Sequence, residues 1–132
     1  RGELDLGELS TKDKVAMSDL DTDNAASATT FLRGDGSWQS VASIGVGQTW
    51  QNVSASRTAN TAYQNTVGKP IMVSLRLSNS EAAFAQVSAD GASWVNVGFG
   101  GGTEAQSVSF IVPAGHFYRA TGLLGNNWAE LR

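Results

Sequence analysis

Lys69-Pro70-Ile71-Met72-Val73-Ser74-Leu75-Arg76-Leu77-Ser78 decides how this chain folds. Ile71, Val73, Leu75 and Leu77 fall on one side and Met72, Ser74, Arg76 and Ser78 on the other, the period-two alternation of a strand with one buried face. Lys69-Pro70 marks its start, because proline is tolerated at a strand's first residue and not inside a central one. The rest of the stretch from Gly47 to Gly122 reads as partners for this strand.

Downstream, Asn79-Ser80-Glu81 turns the chain into Ala83-Phe84-Ala85-Gln86-Val87-Ser88-Ala89. Asp90-Gly91 is a short-range hairpin signal, since both residues accept the left-handed region. Val95, Val97 and Phe99 alternate, Gly100-Gly101-Gly102-Thr103 reads as a mobile loop, and Val108, Phe110 and Val112 alternate again before Pro113-Ala114-Gly115. Phe117 to Ala120 leads to a last strand ending in Trp128-Ala129-Glu130-Leu131. Upstream, Gln48 to Val53 and Thr61 to Asn65 supply two further short strands. This spacing predicts an all-β, antiparallel sandwich or barrel over 47–132, of which a β-sandwich head is the expectation taken.

Residues 1–46 read differently. They hold eight of the twelve acidic residues and few large apolar ones. Ser10 or Thr11 is placed to cap a short helix over Lys12 to Met17. A segment this poor in apolar side chains does not offset an ordering entropy of roughly 1 to 2 kcal/mol per residue by itself. It is expected to be disordered, or ordered by winding around copies of itself as a short, partly helical, partly irregular stalk. Phe31-Leu32-Arg33-Gly34-Asp35-Gly36-Ser37-Trp38 makes a tight reversal within it.

The formal net charge is -3 with 16% charged residues, which gives no electrostatic hold on nucleic acid or an anionic membrane. No apolar run approaches the roughly 18 residues that span a bilayer, so membrane insertion is not expected. There are no cysteines, which excludes disulfides and thiolate chemistry. The first residue is Arg1, and the chain is expected to be a piece of a longer polypeptide.

The order of several pieces resembles the C-terminal receptor-binding domain and preceding linker of bacteriophage and prophage tail fibre proteins. The pieces are Thr30 to Trp38, Gly47-Gln48-Thr49-Trp50, Arg57 with Tyr63 and Asn65, Gly68-Lys69-Pro70-Ile71, Asp90-Gly91 with Trp94, Phe110 to Gly115 with Tyr118, and Trp128-Ala129-Glu130-Leu131. The resemblance covers the chain from about Lys12 onward. It implies a homotrimeric fibre tip on the virion that binds a bacterial surface polysaccharide or an outer-membrane protein.

The chemistry in the residues is sparse. Glycan cleavage generally needs two carboxylates about 5 to 9.5 Å apart, and the head offers Glu81, Asp90, Glu104 and Glu130. Asp90 is taken up by its turn, which leaves Glu81 and Glu104 as a pair that separate loops would have to bring together. His116, the single histidine, follows Pro113-Ala114-Gly115 and reads as an exposed turn residue, without a Gly-x-Ser-x-Gly elbow to serve. Asp19-Leu20-Asp21-Thr22-Asp23 fails the EF-hand pattern, with Asn24 at the glycine position and Thr30 at the bidentate glutamate position. Arg33-Gly34-Asp35 is explained by its turn. The expectation is adhesion without catalysis, metal or cofactor, with a small glycan hydrolase or esterase and a structural trimerisation cap as the alternatives.

Receptor contacts are expected on loops carried by a rigid sheet. The candidates are Asn79, Ser80 and Glu81; Phe99, Thr103 and Glu104; and Asn126 and Asn127, whose amides and carboxylates suit sugar hydroxyls. Trp94 joins them: like Phe99 it borders a loop and serves either packing or sugar stacking. Trp38, Trp50 and Trp128 are assigned to packing, and Tyr63 and Tyr118 to strand ends with paired hydroxyls.

Overall fold

A computed structural model describes residues 30–35 and 37–132. The helix expected over Lys12 to Met17 and the acidic run from Asp19 lie outside the described residues. The chain divides into two compact units, Arg1–Val41 and Ala42–Arg132. In the first, β1 (Thr30–Leu32) and β2 (Trp38–Ser40) form an antiparallel hairpin. Its reversal is closed by Asp35, whose carboxylate accepts from both the backbone N–H and the hydroxyl of Ser37 at 3.0 and 2.6 Å.

The second unit is all-β and antiparallel. Its strands are β3 (Trp50–Asn52), β4 (Tyr63–Gln64), β5 (Ile71–Leu77), β6 (Phe84–Ser88), β7 (Val95–Phe99), β8 (Gln106–Val112), β9 (Phe117–Ala120) and β10 (Leu123–Leu131). They make two four-stranded sheets, β3-β10-β5-β8 and β4-β9-β6-β7, an arrangement consistent with a β-sandwich. Among the described residues the helical content is one 3-10 turn, Ser54–Ser56.

The organising strand behaves as its alternation requires. Ile71, Val73, Leu75 and Leu77 are buried, and they join Phe110 and Val112 of β8, Tyr118 and Ala120 of β9, Ala85 of β6 and Trp128 of β10 in one core. The β5 and β8 ladder runs without a break from Ile71–Val112 to Leu77–Gln106. It therefore presents the same two faces along its whole length.

Strand β7 turns its alternating apolar row outward, which places Phe99 on the surface as a contact residue would be and leaves Val95 and Val97 outside the core. Val95 and Phe99 are 64% and 60% exposed, Val97 is also exposed, and the inward position is Gly98. A Cβ on Gly98 would lie 3.1 Å from both the Ala85 and Val108 Cβ atoms, so the strand packs inward on its bare backbone and its apolar side chains face out. Trp50 departs from expectation: it is 53% exposed, because β3 is an edge strand whose three residues all face solvent. Asp90-Gly91 does connect β6 to β7, but through a longer loop than a two-residue turn, with Val87 paired to Val95. Only Gly91 of the pair takes a positive φ, +77°. Asp90 contributes its carboxylate instead, accepting from the N–H groups of Ser93 and Ala92 and from the Ser88 hydroxyl, which together hold its pKa well below the usual range.

Polar groups inside this unit are paired. Asn65, buried, donates its amide to the carbonyls of Lys69, Val112 and Pro113 and accepts from the Val67 N–H. Glu130 on β10 has 0% exposure and accepts from Arg57 Nε and Nη2 at 2.8 and 3.0 Å. It also accepts from the Tyr118 hydroxyl at 2.8 Å, Trp128 Nε1 at 3.1 Å and Arg132 Nη1 at 2.9 Å. Burial acts to raise the Glu130 pKa, but the hydrogen bonds from Arg57 and Tyr118 and the guanidinium charge outweigh it, leaving the carboxyl below its ordinary value. Burial pushes the Tyr118 phenol up to about 12, and its hydrogen bond to Glu130 acts in the same direction.

These shifts fix a pH window. A carboxylate lowered below its unfolded value of roughly 4.3 stabilises the fold above that pH, and the contribution is lost as pH falls through the folded value. A phenol raised above its unfolded value of roughly 10 stabilises below that pH, and the contribution is lost as pH rises through the folded value. Urea midpoints measured across the pH scale should therefore fall at both ends. Glu130→Gln should lower the neutral-pH stability by about 3 to 5 kcal/mol, since it strands Arg57 without its counter-charge, and a midpoint unchanged from wild type would contradict this.

Candidate functional site

The predicted contact residues do not form one patch. Because β5, β7 and β9 run toward the same end of the unit, the connections after them, 78–83, 100–105 and 121–122, gather there. Asn79, Ser80, Glu81, Thr103 and Glu104 are exposed at this end, and Phe99 stands at the end of β7 beside them. Phe99 meets Phe84 edge-on, with ring centroids 5.8 Å apart. Trp94 lies at the opposite end of β7, half-buried, with the Arg119 guanidinium over its ring at 4.0 Å. Asn126 and Asn127 are in strand β10 and not in a loop.

Nor is the glycine-rich connection loose along its length. The Gly100 N–H donates to the Ala83 carbonyl at 2.7 Å, and a Cβ on Gly100 would sit 2.4 Å from the Ser78 carbonyl oxygen. A Cβ on Gly101 would come within 3.6 Å of Glu81 Cα, so the loops carrying Glu81 and Glu104 are neighbours. Gly122 packs into the same corner, where a Cβ would lie 2.9 Å from that of Ala83.

A concave feature lies elsewhere, on the outer face of the β3-β10-β5-β8 sheet. It is an open groove of about 330 Å³ lined by Asn52, Ser54, Ser74, Arg76, Ser107 and Asn127, with Trp128 beneath. An irregularity in β10 produces it. Leu123 pairs with Leu77 and Trp128 with Leu75, so β10 accommodates several residues where β5 advances by two. Gly125, at φ +64°, takes the turn in this bulge, and the strand returns to register at Trp128 with Asn127 on the groove. The bulge thus positions one of the nine predicted residues, Asn127, in the groove.

The other walls follow from local chemistry. Ser54 accepts from the Trp128 N–H at 3.0 Å and donates to the Trp128 carbonyl, which ties the end of β3 against β10. Asn52 Oδ1 accepts from the Ser54 N–H at 3.0 Å, so the tripeptide that spells a glycosylation acceptor is a side-chain-capped turn. Ser74 and Ser109 share a hydroxyl hydrogen bond across β5 and β8 at 3.1 Å. Arg76 pairs in register with Ser107. The polar groups of the lining are hydroxyls, amides and one guanidinium, with no carboxylate, and they stand beside Leu75, Trp128 and Ala129.

Sequence reasoning placed Arg76 on the outer side of its strand but did not make it a site residue. Its signal was there: an arginine among serines on a face otherwise free of acids. His116 is half-buried, and its N–H closes the turn on the Pro113 carbonyl at 3.1 Å. Among the described residues no three or more His, Cys, Asp or Glu side chains cluster as a metal site, and no helix is long and apolar enough to cross a membrane. No family model, curated protein or solved structure matches the chain.

The corner around Gly100 admits no side chain without moving backbone. Gly100→Ala should lower stability by about 1 to 3 kcal/mol, read as a lower urea midpoint at unchanged m-value. A midpoint equal to wild type would mean that the three connections are not held together as described.

Proposed function

We propose that this chain is the receptor-binding tip of a phage tail fibre, acting outside the cell as a homotrimer that adheres to a bacterial surface glycan. The observation that carries the reading is the groove: a concavity with hydrogen-bonding groups, on a sheet face, of a size that suits a sugar unit. Hydroxyls from Ser74 and Ser107 and amides from Asn52 and Asn127 are complementary to sugar hydroxyls. A glycan is favoured over an outer-membrane protein because the polar groups are concentrated in so small a concavity.

In this reading 1–46 is the oligomerising stalk and linker, and 47–132 the head. The outward apolar row Val95, Val97 and Phe99 on the edge strand β7 supports association of heads, since an exposed edge with apolar side chains is otherwise an aggregation liability. Three grooves on one tip raise avidity without tight single-site binding. The acidic loops at Glu81 and Glu104 are left as secondary contacts.

Labelled protein should bind at least one member of a panel of intact bacteria and lose that binding on strains lacking surface polysaccharide. Asn127→Trp, which fills the groove, should reduce adsorption about tenfold or more, with the mass by light scattering still that of a trimer. Adsorption equal to wild type would overturn the groove as receptor site, and a monomeric mass for the unaltered chain would overturn the trimer.

A further inference from the structure

Building on the groove as the receptor site, we infer that it takes an anionic sugar, with Arg76 holding a carboxylate or phosphate of the ligand. The unit 42–132 contains five Lys and Arg residues, and four are engaged within the protein. Arg57 and Arg132 are both bonded to Glu130. Lys69 Nζ donates to the Val46 carbonyl at 2.8 Å. Arg119 Nε donates to Gln86 Oε1 at 2.7 Å while its guanidinium covers Trp94.

Arg76 alone among them has no hydrogen-bond, ion-pair or ring partner among the described residues, and it is the one that lines the groove. Its surroundings leave the charge available. An exposed cation on a sheet is ordinarily matched by an acid across the ladder, but the residue in register with Arg76 is Ser107 and none of the lining residues is acidic.

A guanidinium presents a planar fork of N–H donors that fits a carboxylate or phosphate through two parallel hydrogen bonds. The Asn127 amide and the Ser107 hydroxyl, neither bonded to any described residue, stand in the same groove for the ring hydroxyls of the same sugar. The chemistry defines a sugar unit bearing an oxyanion, either a uronic-type carboxylate or a phosphate substituent.

The test is a titration of the full chain, followed by NMR of the Arg76 Nε–H and Asn127 signals, with glucuronate, glucose 6-phosphate and glucose as probes. At least one of the two anions should perturb both residues at a concentration about tenfold below that needed for glucose. Added salt should weaken the anion's binding. Which anion binds identifies the source of the charge, and Arg76→Gln should abolish the preference over glucose. Perturbation by neither anion, equal binding of glucose, or an intact preference in Arg76→Gln would each overturn the inference. If anions bind as expected but Asn127→Trp leaves cell adsorption intact, the receptor reading fails while the anion site stands. If Asn127→Trp abolishes adsorption while Arg76→Gln keeps the wild-type preference, the anion inference alone fails.

Discussion

A single buried carboxylate holds this fold together. Glu130 lies in the core of the β3-β10-β5-β8 sheet, yet the Tyr118 hydroxyl that reaches it comes from the other sheet, and Arg57 comes from the connection between β3 and β4. Removing such an ion from water costs several kcal/mol, and a bare pair would not recover it. Here five donors occupy the two oxygens, three on Oε1 and two on Oε2. That coordination leaves little lone-pair capacity idle. The Tyr63 ring closes the remaining side of Arg57, with the guanidinium carbon 4.5 Å from the ring centroid. The network therefore fixes how the sheets meet more sharply than apolar contact would, because hydrogen bonds are directional and a slip of one residue would orphan a buried charge.

The parts of the fold that were legible in the sequence are those set by local pattern. The alternation of Ile71 to Leu77 gave the faces of β5 correctly because period two is intrinsic to a strand. The Asp35 turn was legible for a similar reason, as Asp and Gly act on their own backbone within a few residues. Burial of β7 was not legible, because Val95, Val97 and Phe99 carry an apolar signal while the decisive residue, Gly98, carries none. What selects the inward face is the close approach of Ala85 and Val108, a tertiary fact. Trp50 fails on the same ground: its aromatic bulk suggests packing, but its place on an edge strand determines its exposure.

The site was legible only in part, and for a different reason. Loops were the natural place to look for contacts, and Asn79 to Glu81 and Thr103 with Glu104 do share one end of the unit. The groove instead depends on a register break between two strands far apart in sequence, which no local pattern announces. Gly125 between Leu124 and Asn126 was the one trace of it, since a glycine within a strand often marks a bulge. Glu130 illustrates the converse: as a sequence feature it was one of four carboxylates open to chemistry, whereas its partner Arg57 lies 73 positions away and leaves it fully committed.

Several polar residues far apart in sequence hold the second unit together. Gln48 accepts from the Gly45 N–H and donates to the carbonyls of Pro70 and Leu131, Asn65 secures the turn before β5 against the end of β8, and Arg57, Tyr118 and Glu130 form the central network. Such residues face inward and leave the outer face of β5 uncommitted to the core. In the groove Asn52, Ser54 and Ser74 are tied by internal hydrogen bonds, whereas the side chains of Arg76, Ser107 and Asn127 are bonded to none of the described residues. Core-facing and groove-facing residues thus alternate along the same strand. The backbone beneath the groove is fixed by the unbroken β5–β8 ladder on one side and the Trp128–Ser54 bonds on the other. Polar groups carried on a sheet face held in this way have less conformational freedom to lose on any contact than groups on open loops, which is what pre-organisation means physically.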